Sequence, residues 1–159
     1  MGGRLKLGYL LKSPIINNPS NQVTDRFGGS VAIHKSYIVV GAPNRTSIEK
    51  ESGFVYLYNR EGKILKTLSN PSPTSNGRFG TSVSISDPFI LVGAPYDDFK
   101  AQNSGTAYLY TLVGNLTCIF RGPTAVQDGN FGYAVSINPA LLYIGAPNHN
   151  SGKTYNLVV

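Results

Sequence analysis

Few side chains in the sequence have the types and spacing that catalysis or metal binding requires. The one cysteine, Cys118, lies in an apolar run and is expected to be a small buried side chain. The predicted strand order places the two histidines, His34 and His149, on opposite sides of the molecule, so we expect no metal-binding histidine pair within one chain. Asp97 and Asp98 are adjacent, and neighbouring side chains on an extended segment diverge, so these two carboxyl groups are not expected to act as an acid/base pair. The sequence therefore predicts a protein that is not an enzyme, with no catalytic residue, metal or cofactor.

The glycines and prolines mark a threefold internal repeat with a period of 52 residues. Phe-Gly pairs begin at Phe27, Phe79 and Phe131, and Gly-Ala-Pro triplets begin at Gly41, Gly93 and Gly145. Short apolar runs that recur about every 50 residues are typical of a β-propeller, in which each repeat forms one four-stranded sheet, or blade. The composition agrees with an all-β fold, because 18 Gly, 10 Pro and 10 Tyr favour short strands joined by turns.

Each repeat is predicted to contain four strands, labelled A to D. In the central repeat, strand A spans about 78–85, with large side chains on one face and serines on the other, and strand B spans 89–92. Strand B is apolar throughout, so both its faces must be covered, as adjacent blades would cover them. Strand C spans 106–110 and strand D spans 116–120. The predicted segments are a leading outer strand in 1–16, two blades in 25–68 and 77–120, and three inner strands in 129–159.

The two ends of the sequence are predicted to supply different strands of the same blade. Residues 8–14 resemble residues 62–68, a strand D, and the sequence ends after a strand C. Three blades fall below the usual range of four to eight. Two copies joined head to tail, each giving its leading strand D to the other, would close a six-bladed homodimer. A piece of a longer propeller and other closed rings are the alternatives.

The Phe-Gly, Gly-Ala-Pro and Ser-Gly elements together resemble the FG-GAP repeat family, which forms the propeller head of integrin α subunits. The resemblance extends over essentially the whole chain. It implies a β-propeller that recognises proteins or glycans, commonly in cell adhesion at cell surfaces, so an extracellular location is expected although the sequence shows no signal peptide. Kelch repeats have a similar length, but the absence of tryptophan from this sequence argues against them.

The connections between strands A and B determine whether a calcium-binding site is expected. Many FG-GAP repeats carry an Asp-rich loop there, and a calcium ion needs about six to eight oxygen ligands. Here the connections are 34–36, 86–88 and 138–140, which are short and contain one carboxylate, that of Asp87. We therefore expect no calcium at these turns, and the chain resembles the calcium-free branch of the repeat.

The longer connections are predicted to lie together on one side of the propeller, here called the long-loop face. They are the D-to-A loops 17–25, 69–77 and 121–129 and the B-to-C loops 44–52, 96–104 and 148–151. Variable loops on a rigid scaffold carry recognition, so this face is the expected binding surface for a protein, although loop length alone also fits solvated crossovers. The candidate binding residues are Arg45, Tyr96, Asp97, Asp98, Phe99, Lys100, Asn148 and His149. A lectin and a hydrolase acting at the channel mouth are the alternative functions.

The net charge of +6 does not by itself indicate a nucleic-acid partner. Lysines and arginines are spread singly over the three repeats, and no nucleic-acid-binding module accompanies them. No apolar run approaches the ~20 residues of a membrane span. We expect neither nucleic-acid binding nor membrane insertion.

Overall fold

The structure, a computed structural model, describes residues 15–149 and 152–158. Within these ranges the regular secondary structure is β-strand, apart from one 3₁₀ turn at Val23–Asp25, so the all-β prediction is confirmed. The strands are β1 (Ser30–His34), β2 (Tyr37–Ala42), β3 (Phe54–Asn59), β4 (Ile64–Ser69), β5 (Ser82–Ser86), β6 (Phe89–Ala94), β7 (Thr106–Thr111), β8 (Leu116–Arg121), β9 (Ala134–Ile137), β10 (Leu141–Ala146) and β11 (Lys153–Val158). No helix in the described part of the chain is long and apolar enough to cross a membrane.

Each repeat folds into one antiparallel sheet. The strand orders are β1-β2-β3-β4 in the first sheet and β5-β6-β7-β8 in the second, as expected for four-stranded blades. The third sheet contains β9, β10 and β11. The leading strand predicted in 1–16 falls almost wholly on residues 1–14, which lie outside the described residues.

The predicted bounds of strands A and B differ from the observed strands. Strand A begins four residues later than predicted, at Ser82 in the second repeat, because Arg78 and Gly80 have left-handed backbones with φ of 53° and 90°. Such residues form a turn and cannot continue an extended strand. Strand B extends two residues further than predicted, through Gly93 and Ala94, and ends before the proline. Proline ends the ladder because it has no N–H to donate.

The three sheets pack face to face in chain order, with their first strands β1, β5 and β9 in contact. Between the first and second sheets, Val39 and Leu57 belong to one apolar cluster with Val83 and Ile85. A second cluster between the second and third sheets joins Leu91, Ala107 and Leu109 to Phe131, Leu142 and Ile144. Sheets stacked in this way around adjacent first strands form a β-propeller-like arrangement.

Two glycines allow this close packing of blades. A Cβ at Gly41 would lie 2.2 Å from the carbonyl oxygen of Gly80 in the next sheet, and a Cβ at Gly93 would lie 1.9 Å from that of Gly132. Both separations are far below a normal van der Waals contact, so only glycine fits. The Gly-Ala-Pro triplet therefore serves the junction between blades as well as the end of strand B.

Candidate functional site

The long loops join one blade to the next, as the predicted long-loop face requires. The Asn76 N–H donates to the Lys50 carbonyl at 2.7 Å, and the Phe79 N–H donates to the Ser52 carbonyl at 2.9 Å. The same pattern recurs one repeat later, where the Phe131 N–H donates to the Ser104 carbonyl at 3.0 Å. The B-to-C loop of each sheet therefore lies beside the D-to-A loop that follows it.

Three candidate residues occupy equivalent positions and have equivalent partners. Arg45, Asp97 and His149 are each the second residue after a Gly-Ala-Pro triplet, and each is hydrogen-bonded to the hydroxyl of a tyrosine on strand C. The pairs are Arg45 with Tyr56, Asp97 with Tyr108 and His149 with Tyr155. A cation, a carboxyl group and an imidazole thus perform the same task of fixing the B-to-C loop to its own sheet.

Asp97 is buried, with 3% of its surface exposed. It accepts hydrogen bonds from the Tyr108 hydroxyl at 2.6 Å and from the Asn70 amide at 2.8 Å. Burial raises the pKa of Asp97 from 3.8 to about 6, although these hydrogen bonds oppose the shift. A Cβ at Gly77 would lie 2.4 Å from its Oδ1 atom, so this glycine is required for the D-to-A loop to pass so close.

His149 is also buried, with 1% of its surface exposed. Its Nδ1 atom lies 2.6 Å from the Tyr155 hydroxyl, and its Nε2 atom lies 3.1 Å from the Thr124 hydroxyl and 3.0 Å from the Thr124 carbonyl oxygen. Both ring nitrogens therefore have partners inside the protein. Like Asp97, this imidazole connects a B-to-C loop to the D-to-A loop of its own repeat.

The placement of the eight candidate residues divides them into two groups. Asp97 and His149 are buried, so they are not available to contact a ligand at the surface, contrary to what a binding role would require. Asp98, Lys100 and Asn148 are exposed, and Arg45, Tyr96 and Phe99 are partly buried. The carboxyl groups of Asp97 and Asp98 diverge as expected, and Asp98 accepts the Asn103 N–H at 2.8 Å. Ligand binding by the remaining six residues stays a prediction.

Basic side chains lie over aromatic rings on the long-loop face. The Arg121 guanidinium is 3.9 Å from the centre of the Phe99 ring, and the Lys100 ammonium is 5.4 Å from the same ring. The Arg78 guanidinium is 5.0 Å from the centre of the Tyr96 ring. Such contacts hold the cations in place while leaving their hydrogen-bond donors directed away from the ring.

A cavity of about 140 Å³ lies where the first strands of the three sheets begin, at the inner rim of the long-loop face. Its wall includes Arg26, Arg78, Asn44, Thr81, Tyr96 and Tyr133. Sequence reasoning missed both arginines. The available signal was their position, because Arg26 and Arg78 directly precede the Phe-Gly pairs of two successive repeats, where the third repeat has Asn130.

The outer faces of the first and third sheets expose side chains that are buried elsewhere in the repeat. Val31 and Ile33 of β1 are 60% and 71% exposed, whereas their equivalents Val83 and Ile85 are 9% and 6% exposed. On the other side of the stack, Tyr143 of β10 is 41% exposed, whereas both its equivalents are fully buried. We call these two surfaces the leading open face, on the first sheet, and the trailing open face, on the third sheet.

The trailing open face also carries a glycine that no described residue requires. Gly145 is equivalent to Gly41 and Gly93, yet the nearest atoms to a Cβ at this position are those of Ala134 at 3.5 Å, an ordinary contact. Its φ lies outside the left-handed region, so the backbone does not demand glycine either. The described residues therefore give no internal reason for glycine at this position.

The described part of the chain contains no group of three or more His, Cys, Asp or Glu side chains able to hold a metal ion. Comparison with curated proteins found no match. Among solved structures, the chain is similar to BamB from Moraxella catarrhalis, with 15% sequence identity, a TM-score of 0.47 and coverage of 78% of this chain. The match spans 29% of the length of BamB.

The model of the FG-GAP repeat family matches residues 21–58 and 68–110, which make up about half of the chain. The first segment contains the first Phe-Gly pair and Gly-Ala-Pro triplet, and the second contains the second pair and triplet. The sheets that these segments form pack as successive blades, with the required glycines at their junction. The chain belongs to the FG-GAP repeat family.

Proposed function

We propose that this chain is a non-enzymatic binding module that assembles head to tail with a second copy into a six-bladed ring and binds a protein through its long-loop face. The observation that carries the assembly is Gly145, a glycine suited to a blade junction but placed on an open face. A hydrolase or a lectin has no comparable observation in its favour.

The two open faces are the two halves of a junction that the chain already makes twice. In each internal junction, the surface equivalent to the trailing open face receives the surface equivalent to the leading open face. A second copy placed head to tail therefore presents Val31 and Ile33 to the trailing open face and buries them. Burial of the two side chains stabilises the assembly by about 1.5–3 kcal/mol each if complete.

The equivalence between the internal junctions and the proposed junction also explains Gly145. In the internal junctions the carbonyl oxygens of Gly80 and Gly132 approach Gly41 and Gly93. The equivalent atom on the leading open face is the carbonyl oxygen of Gly28, so in the ring Gly28 of one copy approaches Gly145 of the other. One hydrogen bond is absent from this junction, because Ala134 stands where Ser30 and Ser82 donate to those carbonyls at 2.8 Å.

The third sheet has the place for a further strand beside β11. The first and second sheets have β4 and β8 at the corresponding edges. In the ring, the strand predicted in residues 1–16 of the second copy fills this place, which protects an otherwise unpaired edge. Deletion of residues 1–13 is expected to cause aggregation or loss of assembly.

The proposal is tested by the mass in solution of the 159-residue chain and of Gly145→Ile, measured by sedimentation equilibrium. The wild-type chain is expected at twice its 17.1 kDa. The Gly145→Ile variant is expected to be a folded monomer, because the added side chain occupies the junction but meets little within its own chain. Ser72→Ile, which adds bulk at an exposed position of the loop between the first and second sheets, is the control and should remain a dimer. A folded wild-type monomer, or a Gly145→Ile dimer, would contradict the proposal.

A further inference from the structure

We infer that the inner-rim cavity is a carboxylate-binding site, and that it receives an acidic side chain of the protein partner. The inference rests on the proposed function, since it names what the long-loop face recognises. It concerns Arg26 and Arg78, which take part neither in the glycine contacts between blades nor in the hydrogen bonds to the tyrosine hydroxyls on strand C.

The size of the cavity selects a small group. Its volume of about 140 Å³ accommodates one carboxylate with the end of its aliphatic stem. The Tyr96 and Tyr133 rings supply apolar walls for such a stem. An acidic side chain on a protruding loop reaches this place, whereas a whole folded domain does not.

The charge of the wall suits an anion. Arg26 is exposed and has no ion-pair partner among residues 15–149 and 152–158. Arg78 contacts one carboxylate, with its Nη2 atom 3.4 Å from Glu51 Oε2, and its Nε atom is buried without a hydrogen-bond partner in the described part of the chain. Arginine pairs with carboxylates through two parallel N–H donors, so two such side chains on one wall favour an oxyanion.

The cavity wall also distinguishes a peptide from a free anion. The Tyr96 and Tyr133 rings offer apolar surface to the aliphatic stem of an Asp or Glu side chain, which inorganic phosphate lacks. We therefore assign the site to an acidic peptide segment.

The left-handed turn does not by itself call for arginine. Arg26 and Arg78 have left-handed backbones with φ of 53°, and Asn130 at the third equivalent position has φ of 52°. Asparagine adopts this conformation more readily than a long side chain does, so the turn itself is better served by the residue found in the third repeat. In the proposed ring, two arginines from each copy would surround the channel entrance.

The test uses a fluorescently labelled hexaglutamate peptide and measures its binding by anisotropy at low ionic strength. The wild-type chain is expected to bind, and the Arg26→Gln/Arg78→Gln double variant is expected to bind at least tenfold more weakly, since it loses the charge-assisted hydrogen bonds of both guanidinium groups. The Arg60→Gln/Lys63→Gln double variant, which removes the same number of charges at the exposed β3–β4 turn, is the matched control and should bind like the wild type.

Two further measurements keep the result interpretable. Inorganic phosphate should displace the peptide only at far higher concentration than unlabelled hexaglutamate; equal potency would overturn the peptide assignment. Gly145→Ile should keep its affinity per chain, because the cavity is built within one copy, so a failure of the ring and a failure of the site are separable. Equal binding by the wild type, the Arg26→Gln/Arg78→Gln variant and the Arg60→Gln/Lys63→Gln control would overturn the inference.

Discussion

Replacement of Asp97 by Asn tests whether burial of a carboxyl group destabilises the second blade. Burial raises the pKa of Asp97 from 3.8 to about 6 in the folded protein. The folded state therefore binds a proton more readily than the unfolded chain does. Above pH 6 the carboxylate is charged in both states, and its transfer out of water lowers the free energy of unfolding.

The size of this effect follows from the shift of about two pH units. One unit corresponds to 1.36 kcal/mol, so the buried charge costs about 3 kcal/mol at pH 7.5. The cost decreases as the pH falls from 6 to 4 and is absent below 3.8, where the group is protonated in both states. Asparagine keeps the shape and can still accept from Asn70 and donate to the Tyr108 oxygen. Asp97→Asn should therefore raise the free energy of unfolding by about 1–3 kcal/mol at pH 7.5 and change it little at pH 3.5.

Urea denaturation followed by tyrosine fluorescence measures this difference, at several pH values and one protein concentration, because assembly also contributes to stability. Asp98→Asn is the matched control. Its side chain is exposed and its oxygen can still accept from Asn103, so it should change the free energy of unfolding by less than about 0.5 kcal/mol at any pH. If Asp97→Asn destabilises the protein more at pH 7.5 than at pH 3.5, the hydrogen bonds of the carboxylate outweigh its burial and the reasoning is wrong. An equal change at the two pH values would show that the pKa of Asp97 is not raised, which also contradicts the reasoning.

Two pairs of equivalent positions separate stability from assembly. Gly93→Ala should destabilise the fold by at least about 2 kcal/mol in urea denaturation, because its Cβ would lie 1.9 Å from a carbonyl oxygen of the next sheet. Gly145→Ala should leave the stability of a dilute monomer unchanged. Equal effects of the two substitutions would refute the junction argument. Ile85→Ala should lower the free energy of unfolding by about 2–4 kcal/mol, because Ile85 is buried within one chain. Ile33→Ala should lower that of the monomer by less than about 0.5 kcal/mol but weaken association in sedimentation experiments. Unchanged association would argue against burial of Ile33 by a second copy.

The regular features of the fold were predictable from sequence because they depend on local pattern. The 52-residue period predicted one sheet per repeat, and the apolar runs predicted the bounds of the strands to within a few residues. The start of strand A was misplaced because it depends on left-handed residues such as Arg78, a backbone property that its side chain does not indicate. Likewise, the need for glycine at Gly41 and Gly93 arises from the adjacent sheet, which no local pattern reveals.

Loop lengths grouped the D-to-A and B-to-C loops on one side of the sheets, and hydrogen bonds such as that from Asn76 to Lys50 join these loops. Ligand binding at this face stays a prediction. Asp97 and His149 were expected at the surface because charged and imidazole side chains in loops are usually solvated. Their burial depends on tyrosine partners 11 and 6 residues away along the chain, on strand C. The substitution of Arg45, Asp97 and His149 for one another concealed this shared role.

Cross-linking between two copies tests most directly whether the leading and trailing open faces meet. At the first internal junction, the Lys35 ammonium lies 2.9 Å from the Asp87 carboxylate, which joins the β1–β2 and β5–β6 turns. The equivalent turn of the third sheet contains Pro139, so in the ring Pro139 of one copy lies near Lys35 of the other. In a Cys118→Ser background, Lys35→Cys with Asp87→Cys on one chain gives the positive control for a short bis-maleimide reagent.

Copies carrying only Lys35→Cys are then mixed with copies carrying only Pro139→Cys and treated with the same reagent. The account predicts a covalent dimer that joins one copy of each kind, and no cross-linked product when either variant is treated alone. A cross-linked dimer from Lys35→Cys alone, or no product from the mixture while the positive control reacts, would contradict head-to-tail closure.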